Sequence, residues 1–560
     1  MIWIRLALLG ALACDPGEAP PVDADGDGYS SSRDCDDDDP DRHPGAAEDG
    51  GTGNGRGNGI DDDCDGEVDE GVWADDADGD GFATWEGDCD DSDATTFPGA
   101  TELPLNGHDE DCDGTDTDQV SALGDATFLP GATPYGEAGM AVTVVGDMDG
   151  DGIDDVAVGA PNEAEPGDEP DIHGAVMVLP GSGLGSASLG SPMSTFESGR
   201  SWDLSGHVIA PSRDLDGDGF DEMLVGAPMT DVEVGGAGRA WLFPGPLDAY
   251  LAPADARAQF DGEDMADGAG WSLASAIDPA GDGHSYVVVG AVMGETADGA
   301  RAGGVHFFPA DSRGSLSLGD AVLSVSGTSE GDSAGAAIAT LGDSDGDGID
   351  EVAFGAPEHS ASGSRVGAVH VIQQYGEGKL RIADVGSTLL GRVAEGRFGG
   401  SIVAPGDVDG DGLADLGVSA HFASTPVEHA GLVYLALGPL GEGAVDAALT
   451  VEGEHAADFL GLSLAAAGQG ADLVLFAGAP GYDTGPDAPS GRAYAIPVGL
   501  RGHVSAANAA CVFTGEGVGE LVGRGVAVLG DSELTFLVGA PWHDPAGEDR
   551  GGVYVVTTGC

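Results

Sequence analysis

The sequence predicts an all-β fold in which seven repeated units close into a β-propeller. Its 560 residues include 99 glycines and 31 prolines, a content that favours turns over long helices. A short apolar run ending in Gly-Ala-Pro, or a close variant, occurs seven times, at steps of 67, 64, 65, 64, 59 and 61 residues. A period of about 60 residues with Gly-rich turns is typical of one four-stranded blade per repeat.

Each unit repeats the same order of segments. A strand of small residues is followed in most units by an Asp-rich turn, then by the strand that ends in Gly-Ala-Pro. A third strand of the form Gly-x-Val-x-x-x-Pro-Gly and a fourth strand complete the unit. The glycine position of this element, which is a serine in the fifth unit, falls at Gly159, Gly226, Gly290, Gly355, Ser419, Gly478 and Gly539. The third strand begins at Gly174, Gly238, Gly303, Gly367, Gly431, Gly491 and Gly551.

The last unit ends at Cys560, directly after its third strand, and so lacks a fourth. A matching segment precedes the first unit, because Ala126 to Gly131 aligns with Cys511 to Gly515. An open ring would expose an unpaired strand edge, which is adhesive. We therefore predict that 126–130 completes blade seven and that the propeller spans 126–560; the alternative is an open solenoid of the same units.

Four of the turns have the residue spacing of a calcium-binding loop. Oxygen ligands at loop positions 1, 3, 5 and 9, with a backbone carbonyl at position 7, surround a hard cation, and glycine at position 6 permits the bend. The predicted metal ligands in the propeller are Asp147, Asp149, Asp151 and Asp155 in blade one, Asp214, Asp216, Asp218 and Glu222 in blade two, Asp343, Asp345, Asp347 and Glu351 in blade four, and Asp407, Asp409, Asp411 and Asp415 in blade five.

About four calcium ions are therefore expected in the propeller. The alternative is that these turns are ordinary Asp-Gly hairpins, which one copy alone would not exclude. Blade three keeps too few carboxylates in 278–286, and blades six and seven shorten the turn at 469–472 and 530–533. We predict no calcium in those three blades.

These units resemble the FG-GAP repeats of integrin α-chain propellers. Phe398-Gly399 and Gly355-Ala356-Pro357 match the two elements that give the repeat its name, and the Asp loops lie between such elements. The resemblance covers 126–560. It implies a propeller in which calcium stiffens one face while loops on the other face meet protein or glycan ligands; a shared fold does not identify the ligand.

The segment before the propeller contains two copies of an acidic pattern, at 23–71 and 76–118, preceded by a linker at 15–22. Each copy encloses one cysteine pair, Cys35/Cys64 and Cys89/Cys112, and Cys511 and Cys560 remain as a further pair. Paired cysteines suit a small, core-poor segment in an oxidising compartment. The predicted ligands in these repeats are Asp23, Asp25, Asp27 and Asp34 in the first copy and Asp76, Asp78, Asp80 and Asp88 in the second.

The two copies resemble the MopE-like metal-binding repeats of bacterial surface proteins and, more loosely, thrombospondin type 3 repeats. The family label has been attached to copper, but the ligands here are oxygen-rich and the cysteines pair, so we favour two or more calcium ions. The alternative is a disordered acidic spacer. The complete predicted fold class is all-β: a seven-bladed β-propeller with a small N-terminal Asp-rich, disulfide-containing calcium-repeat segment.

The first residues have the features of an export signal. Arg5 precedes an apolar run from Leu6 to Ala13 that is too short to span a bilayer. The run ends at Cys14, which predicts a signal peptide at 1–13 of lipoprotein type, with Cys14 as the acylated mature N-terminus. Ala11 departs from the usual leucine, so ordinary signal peptidase cleavage at the same bond is the alternative. We expect an outer-membrane or cell-surface lipoprotein, or a secreted protein.

Composition and motifs favour a binding protein over an enzyme. Acidic residues number 100 against 19 Lys and Arg, a balance that disfavours nucleic acid and anionic lipid head groups as partners. The sequence has no HExxH pair and no Cys/His metal spacing. We expect a non-catalytic calcium-binding protein that acts in adhesion or in binding a protein or glycan. The alternatives are a polysaccharide- or ester-degrading propeller enzyme and a purely structural surface component.

Overall fold

A computed structural model of the chain describes most of the propeller and parts of the acidic segment. The described residues are 23–26, 28–30, 33–36, 38–44, 46, 61, 63–65, 82, 88–90, 92–98, 100, 112, 123, 126–133, 135–162, 173–199, 202–231, 235–276, 284–295, 300–361, 364–468, 473–482, 490–515, 517, 519–530, 534–543 and 550–557. The chain divides into two compact units, one of Met1–Leu103 with Gly107–Asp116 and one of Pro104–Asn106 with Thr117–Cys560. Each is described by itself.

The larger unit is a seven-bladed propeller built from short strands in the order that the sequence predicts. The first strands are β1 (Thr127–Pro130), β2 (Ala141–Gly146), β3 (Asp155–Ala160), β4 (Ala175–Leu179), β5 (Ser194–Glu197), β6 (Val208–Ser212), β7 (Glu222–Ala227), β8 (Arg239–Pro244), β9 (Tyr250–Leu251) and β10 (Ala258–Asp261). The next are β11 (Ala269–Ala276), β12 (Tyr286–Ala291), β13 (Gly304–Pro309), β14 (Gly314–Ser317), β15 (Leu323–Ser326), β16 (Ile338–Thr340), β17 (Val352–Ala356), β18 (Ser360–Ala361), β19 (Ser364–Arg365) and β20 (Ala368–Ile372).

The remaining strands complete blades four to seven. They are β21 (Gly378–Arg381), β22 (Gly386–Leu390), β23 (Ile402–Gly406), β24 (Asp415–Ala420), β25 (Leu432–Ala436), β26 (Gly443–Ala444), β27 (Leu449–Glu452), β28 (Leu464–Ala467), β29 (Val474–Ala479), β30 (Arg492–Pro497), β31 (Gly502–Ser505), β32 (Cys511–Thr514), β33 (Val526–Leu529), β34 (Thr535–Gly539) and β35 (Gly552–Val556). The helical elements whose bounds the structure describes are α1 (Ile382–Val385) and the 3-10 turns Leu184–Ser186, Pro253–Asp255, Leu318–Asp320 and Ala506–Asn508. No helix in the described part of the chain is long and apolar enough to cross a membrane.

The ring closes through the N-terminal strand of the propeller. β1 pairs antiparallel with β35, with Thr127 opposite Val555 and Pro130 opposite Gly552, so it is the outer antiparallel strand of blade seven. The innermost strands of neighbouring blades contact one another all round the ring, and β33 of blade seven contacts β2 of blade one. Every blade is therefore held between two others, and strand edges are covered as in other closed β architectures.

Five blades carry an extra outer strand that the sequence pattern does not reveal. The connection between the third and fourth strands of one blade pairs in parallel with the outer strand of the blade before it. The pairs are β9 with β5, β14 with β10, β21 with β15, β26 with β22, and β31 with β27. These strands add hydrogen bonds between neighbouring blades at the rim of the ring.

The core lies between the blades, because each middle strand is buried on both faces. All six residues of β3, β7, β24 and β29 are buried. Aromatic clusters fill the widening outer space, as where Phe476, Phe513 and Phe536 pack together across blades six and seven with ring centroids 5.0–5.6 Å apart. Burial of both sheet faces explains why these strands read as continuous apolar runs.

The two glycine elements of the repeat meet where adjacent blades approach most closely. A Cβ atom added at Gly355 would lie 1.9 Å from the carbonyl oxygen of Gly399 in the next blade. Gly399 itself has φ +92°, a conformation that other residues rarely adopt. The recurrence of glycine at both places is therefore a packing requirement of the ring.

Candidate metal centres

The first aspartate of each Asp-rich loop folds the loop around its own carboxylate. In blade one, Asp147 accepts hydrogen bonds from the backbone N–H groups of Gly150 (2.6 Å) and Asp151 (3.1 Å) at Oδ1, and from that of Gly152 (2.9 Å) at Oδ2. The first aspartates of the other loops accept the same hydrogen bonds from the N–H groups at loop positions 4 and 6, at 2.6–3.0 Å. These aspartates are Asp214, Asp343 and Asp407. The eight glycines at positions 4 and 6 have φ between 78° and 95°, so the loop needs glycine at both places.

The fifth-position aspartates orient the next part of each loop. Their Oδ1 atoms accept a hydrogen bond from the position 7 N–H at 2.8–3.0 Å in all four blades. The chain thereby turns so that carboxylates from positions 1, 3 and 5 or 9 converge. The ligand oxygens of Asp147, Asp149 and Asp155 lie within 4.8 Å of one another. The same holds for the sets Asp214, Asp216, Asp218 and Asp343, Asp345, Asp347.

The ninth-position acids are buried at the start of the second strand, or immediately before it. Asp155, Glu222, Glu351 and Asp415 are at most 1% exposed. Burial, together with the charge of nearby loop carboxylates, raises the pKa of Asp155 to about 6 and the pKa values of Glu222 and Glu351 to about 7. It raises the pKa of Asp415 as well. A cation bound among such groups would favour their ionised form.

The second oxygen of each ninth-position acid has a different environment in different blades. In blades one and five the aspartates accept a backbone N–H from Gly181 (2.9 Å) and Gly438 (2.8 Å). In blade four, Glu351 Oε2 accepts from the N–H and hydroxyl of Ser344, both at 2.6 Å, while Oε1 is buried without a hydrogen-bond partner. An unpartnered buried carboxylate oxygen is costly unless a ligand completes it. The oxygen-rich loops therefore fit a hard divalent cation such as calcium.

Neighbouring loops are joined by a residue that the sequence pattern leaves unassigned. Asp221, at position 8 of the blade-two loop, accepts the N–H of Asp147 (3.1 Å) at Oδ2 and the N–H of Asp214 (2.9 Å) at Oδ1. Its backbone N–H donates to the carbonyl of Asp147 at 3.3 Å, and Ala414 makes the equivalent bond to Asp343 at 2.7 Å. The loops of blades one and two, and those of blades four and five, are thus coupled in pairs.

The turns of blades three, six and seven cannot be compared directly with these four. Residues 277–283, 469–472 and 531–533 lie outside the described part of the chain. The prediction that these blades hold no calcium therefore stays a prediction.

The described residues of the N-terminal unit include two disulfides and a cluster of carboxylates. Cys35 bonds to Cys64 and Cys89 to Cys112. Cys511 of the propeller is also disulfide-bonded, but its predicted partner Cys560 lies outside the described residues, as does Cys14. Because Cys35 and Cys64 are bonded to each other, their sulfur atoms are not thiolate ligands for a metal.

The predicted ligands of the N-terminal repeats are only partly described. Asp23 Oδ1 accepts the N–H of Gly26 at 2.7 Å, the same bond from position 4 to position 1 that folds the propeller loops. Asp34 and Asp88 make matching bonds, each accepting the N–H two residues later at 2.9 Å. Asp27, Asp76, Asp78 and Asp80 lie outside the described residues. The structure brings together Asp61, Asp63 and Asp65, which the ligand prediction omitted although they repeat the same Asp-x-Asp-x-Asp spacing.

A second series of buried acids lies on the opposite face of the propeller, where the fourth strand of one blade leads into the next. These residues are at most 4% exposed, and each lies between two residues with positive φ. They are Asp203, Asp267, Asp332, Asp458 and Glu520. In each case the backbone carbonyl accepts an N–H from the loop that follows the second strand, at 3.1–3.3 Å. An acid three residues before a glycine is the sequence signal that could have revealed the series.

Several of these acids contact a hydrogen-bonding group of the protein itself. Asp332 Oδ2 lies 3.1 Å from His359 Nδ1, and Glu520 Oε1 lies 2.6 Å from His543 Nδ1. Burial raises the pKa of Asp458, whose Oδ2 accepts the N–H of His455 at 2.6 Å, to about 6. Burial also raises the pKa of Asp203 and Asp267. The series ties the inter-blade loops to the ring.

Two sequence families match the chain. The Cu-binding MopE family, described as "Putative metal-binding motif", matches 34–70 and 88–118. The FG-GAP repeat matches 138–171, 205–243 and 399–435, which include the Asp loops of blades one, two and five. The predicted resemblances to FG-GAP repeats and to MopE-like metal-binding repeats are confirmed. Metal-binding motifs, disulfides and an FG-GAP propeller together are consistent with an extracellular surface or binding protein.

Proposed function

We propose that the chain is an exported, non-catalytic calcium-binding protein that uses its propeller to bind a protein or glycan at the cell surface. Calcium is supported by the ligand chemistry of the four loops, which offer only oxygen atoms at spacings that suit it. The unpartnered Oε1 of Glu351 supports a cation in blade four. Export is supported by the disulfides, which persist in oxidising compartments. Acylation of Cys14, with anchoring to the outer membrane, remains part of the proposal.

The observation that carries the binding proposal is an arc of exposed apolar side chains on the face opposite the Asp loops. Strands of a blade alternate in direction, so the loop after the second strand and the loop after the fourth strand share this face. Among the described residues, nine large apolar side chains are exposed, and six of them lie in these loops. They are Trp542 of blade seven, Tyr135, Trp202 and Met229 at blades one and two, and Met265 and Met293 of blade three.

Hydrogen bonds hold members of this arc close to one another. Trp542 Nε1 donates to Glu137 Oε1 at 3.2 Å, two residues from Tyr135. The N–H of Met229 donates to the carbonyl of Asp203 at 3.3 Å, beside Trp202. Trp202 and Tyr135 are 67% and 64% exposed, which is unusual for residues with so much apolar area. Clustered exposed apolar residues on a rigid scaffold mark interaction sites.

On the other half of the same face, arginine side chains cover the aromatic rings. The guanidinium of Arg397 lies 4.2 Å from the ring centre of Phe422, and that of Arg492 lies 3.7 Å from the ring centre of Tyr482. In these cation–π pairs the face of each ring contacts an arginine of the protein itself. Blades seven, one, two and three therefore present the face that a partner would contact, with aromatic rings suited to stacking on sugars or on apolar protein side chains.

Binding can be tested with immobilised purified glycans and extracellular matrix proteins, probed with the full chain in calcium. The double variant Trp202→Ala, Trp542→Ala should lose saturable binding of any ligand that the wild type retains. Tyr250→Ala is the matched control, because Tyr250 is 57% exposed but lies in β9 at the rim of the ring, outside the arc. Equal binding by both variants would contradict the arc as the binding surface. Calcium-dependent folding without saturable binding would favour the purely structural alternative, and turnover of a polysaccharide or ester would favour the enzyme.

A further inference from the structure

The blade-two loop differs from the other three in containing a positive charge of the protein. Glu222 and Glu351 both place a glutamate at position 9, where blades one and five have the shorter aspartate. Each glutamate uses Oε2 to accept the N–H of loop position 2, at 2.8 Å from Leu215 and 2.6 Å from Ser344. Oε1 of Glu351 then has no hydrogen-bond partner, whereas Oε1 of Glu222 accepts a hydrogen bond from Arg257 at 3.0 Å.

Arg257 reaches two of the four predicted ligands of this loop. Its Nη1 donates to Asp216 Oδ2 at 2.7 Å as well as to Glu222, so one nitrogen joins loop positions 3 and 9. Its Nη2 donates to the carbonyl of Ala310 in blade three at 2.8 Å. The side chain is only 3% exposed.

The position of Arg257 is fixed by the backbone as well as by these contacts. The residue directly precedes β10, its N–H donates to the carbonyl of Leu242, and its carbonyl accepts the N–H of Gly314. The guanidinium is therefore held in the loop by the sheet and is not a surface side chain that can swing away. Arginine stays protonated under all ordinary conditions, and a buried charge is weakly screened by salt.

A guanidinium in this place competes with a divalent cation for the same oxygens. Either the Arg257 guanidinium or a calcium ion would stabilise ionised Asp216 and Glu222. The two cations would repel each other, however, because they would lie a few ångströms apart in a low-dielectric interior. The other loops have no such competitor among the described contacts of their ninth-position acids. There the second oxygen accepts a neutral backbone N–H or has no hydrogen-bond partner at all.

We infer that Arg257 is a built-in cation of the blade-two loop, which holds that loop together without metal and makes it the weakest of the four calcium sites. The inference rests on the proposed calcium function. It means that the ring has one blade whose loop geometry is independent of calcium, next to the coupled blade-one loop. Calcium would then act on blades one, four and five at concentrations that leave blade two unoccupied.

The test is calorimetric calcium titration of the full, disulfide-intact chain after chelation, in the wild type and in Arg257→Met. Methionine keeps most of the length and removes the charge. We expect the variant to gain one tight site, with the calcium dissociation constant at blade two falling by at least about tenfold, which corresponds to one charged hydrogen bond. Adding Asp214→Asn to Arg257→Met should remove the gained site. Arg239→Met is the control, because Arg239 is a buried, ion-paired arginine of the same blade that pairs with Asp261 instead.

A second comparison needs no change at Arg257 and so covers the case in which that variant fails to fold. Asp343→Asn should remove one tight site from the wild type, whereas Asp214→Asn should leave the number of tight sites unchanged. Loss of a tight site in Asp214→Asn, or identical titrations of the wild type and Arg257→Met, would overturn this inference while leaving the calcium function intact. Absence of calcium binding by the propeller in every variant would overturn both.

Discussion

The two faces of the propeller both bury carboxylates in a regular series, but they satisfy them in different ways. On the Asp-loop face, Asp155 and Glu351 lie beside other carboxylates of their own loop. Burial raises the pKa of both acids, and the negative charge of those carboxylates raises it further. On the opposite face, Asp332 and Glu520 face histidines, and Asp458 accepts a backbone N–H. The carboxylates therefore converge within single loops on one face, whereas on the other face each buried acid lies in a separate connection between blades.

Burial of an acid therefore does not by itself indicate a metal site. What distinguishes the Asp-loop face is the convergence of several carboxylates within 4.8 Å, because buried carboxylate oxygens without a hydrogen-bond partner occur on both faces, at Glu351 on one and at Asp203 and Asp458 on the other. Repulsion among such carboxylates destabilises the metal-free fold, and a cation that binds only the folded state reverses this. The stability of the two faces should therefore respond differently to calcium, to substitution and to pH.

The largest expected effect is that of removing calcium from the whole ring. Each occupied site adds on the order of 3 kcal/mol at a hundred times its dissociation constant, so several sites together give a large change. Urea unfolding of the full chain should show a far lower free energy of unfolding in chelator than in calcium. Asp458→Asn, on the opposite face, should show the same calcium-dependent difference as the wild type. A calcium effect that changed with the Asp458 substitution would contradict the assignment of the calcium sites to the Asp-loop face.

A single loop substitution should cost one site and leave the other blades folded. Asp151→Ala and Asp347→Ala each remove a carboxylate at position 5, so each should lower the calcium stoichiometry by one. The loss of stability should be on the order of 3 kcal/mol at saturating calcium and much smaller in chelator. Asp446→Ala, at a fully exposed aspartate, is the matched control. Unchanged stoichiometry in both loop variants would mean that these turns are only hairpins.

The smallest expected effect is the pH dependence of the contribution that Asp458 makes to stability. It is a direct test of the opposite face. Its folded pKa of about 6 lies above the ordinary 3.8, so the folded state binds more protons between those values. Ionised Asp458 therefore destabilises the protein above pH 6, by at most about 3 kcal/mol, and this penalty disappears as the pH falls to 3.8. Asp458→Asn should be more stable than the wild type above pH 6, and the advantage should vanish near pH 4.

The difference in stability between the two proteins cancels the titrations of groups remote from Asp458, but not those of its charged neighbours His455, whose Nδ1 lies 3.9 Å from Asp458 Oδ2, and Glu454. Burial lowers the pKa of His306, His370 and His421 to about 4, so these residues destabilise both proteins alike as the pH falls below 6.5. Calcium should be absent from the measurement, so that the Asp loops contribute equally. A constant difference between wild type and Asp458→Asn from pH 4 to pH 7 would contradict the raised pKa of Asp458.

The sequence predicted the repeat-based features well, because they depend on local spacing. The seven units, the order of strands and the bend at the sixth loop position all agree with the structure, since glycine and aspartate at fixed offsets determine a turn locally. The pairing of 127–130 with blade seven also followed from counting strands. The acids of the opposite face were overlooked although a short pattern, an acid three residues before glycine, marks them.

The rest depends on contacts between residues far apart in the chain. The extra strand β9 is two residues long and has no periodic pattern, so only its pairing with β5 reveals it. Arg257 is 35 residues from Glu222 and 41 from Asp216, and no spacing rule links them. The sequence pattern assigns no role to Asp221, whose side chain joins two loops. Such contacts follow from the way the blades pack.

The most direct test of the account is a calorimetric calcium titration of the full chain beside a variant with all four first-position aspartates replaced, Asp147→Asn, Asp214→Asn, Asp343→Asn and Asp407→Asn. The N-terminal repeats are unchanged in both proteins and serve as an internal reference. We expect the wild type to bind four more calcium ions than the variant, three tightly and one weakly, and we expect calcium to raise the melting temperature of the propeller in the wild type only. Equal calcium binding and equal melting by the two proteins would contradict it.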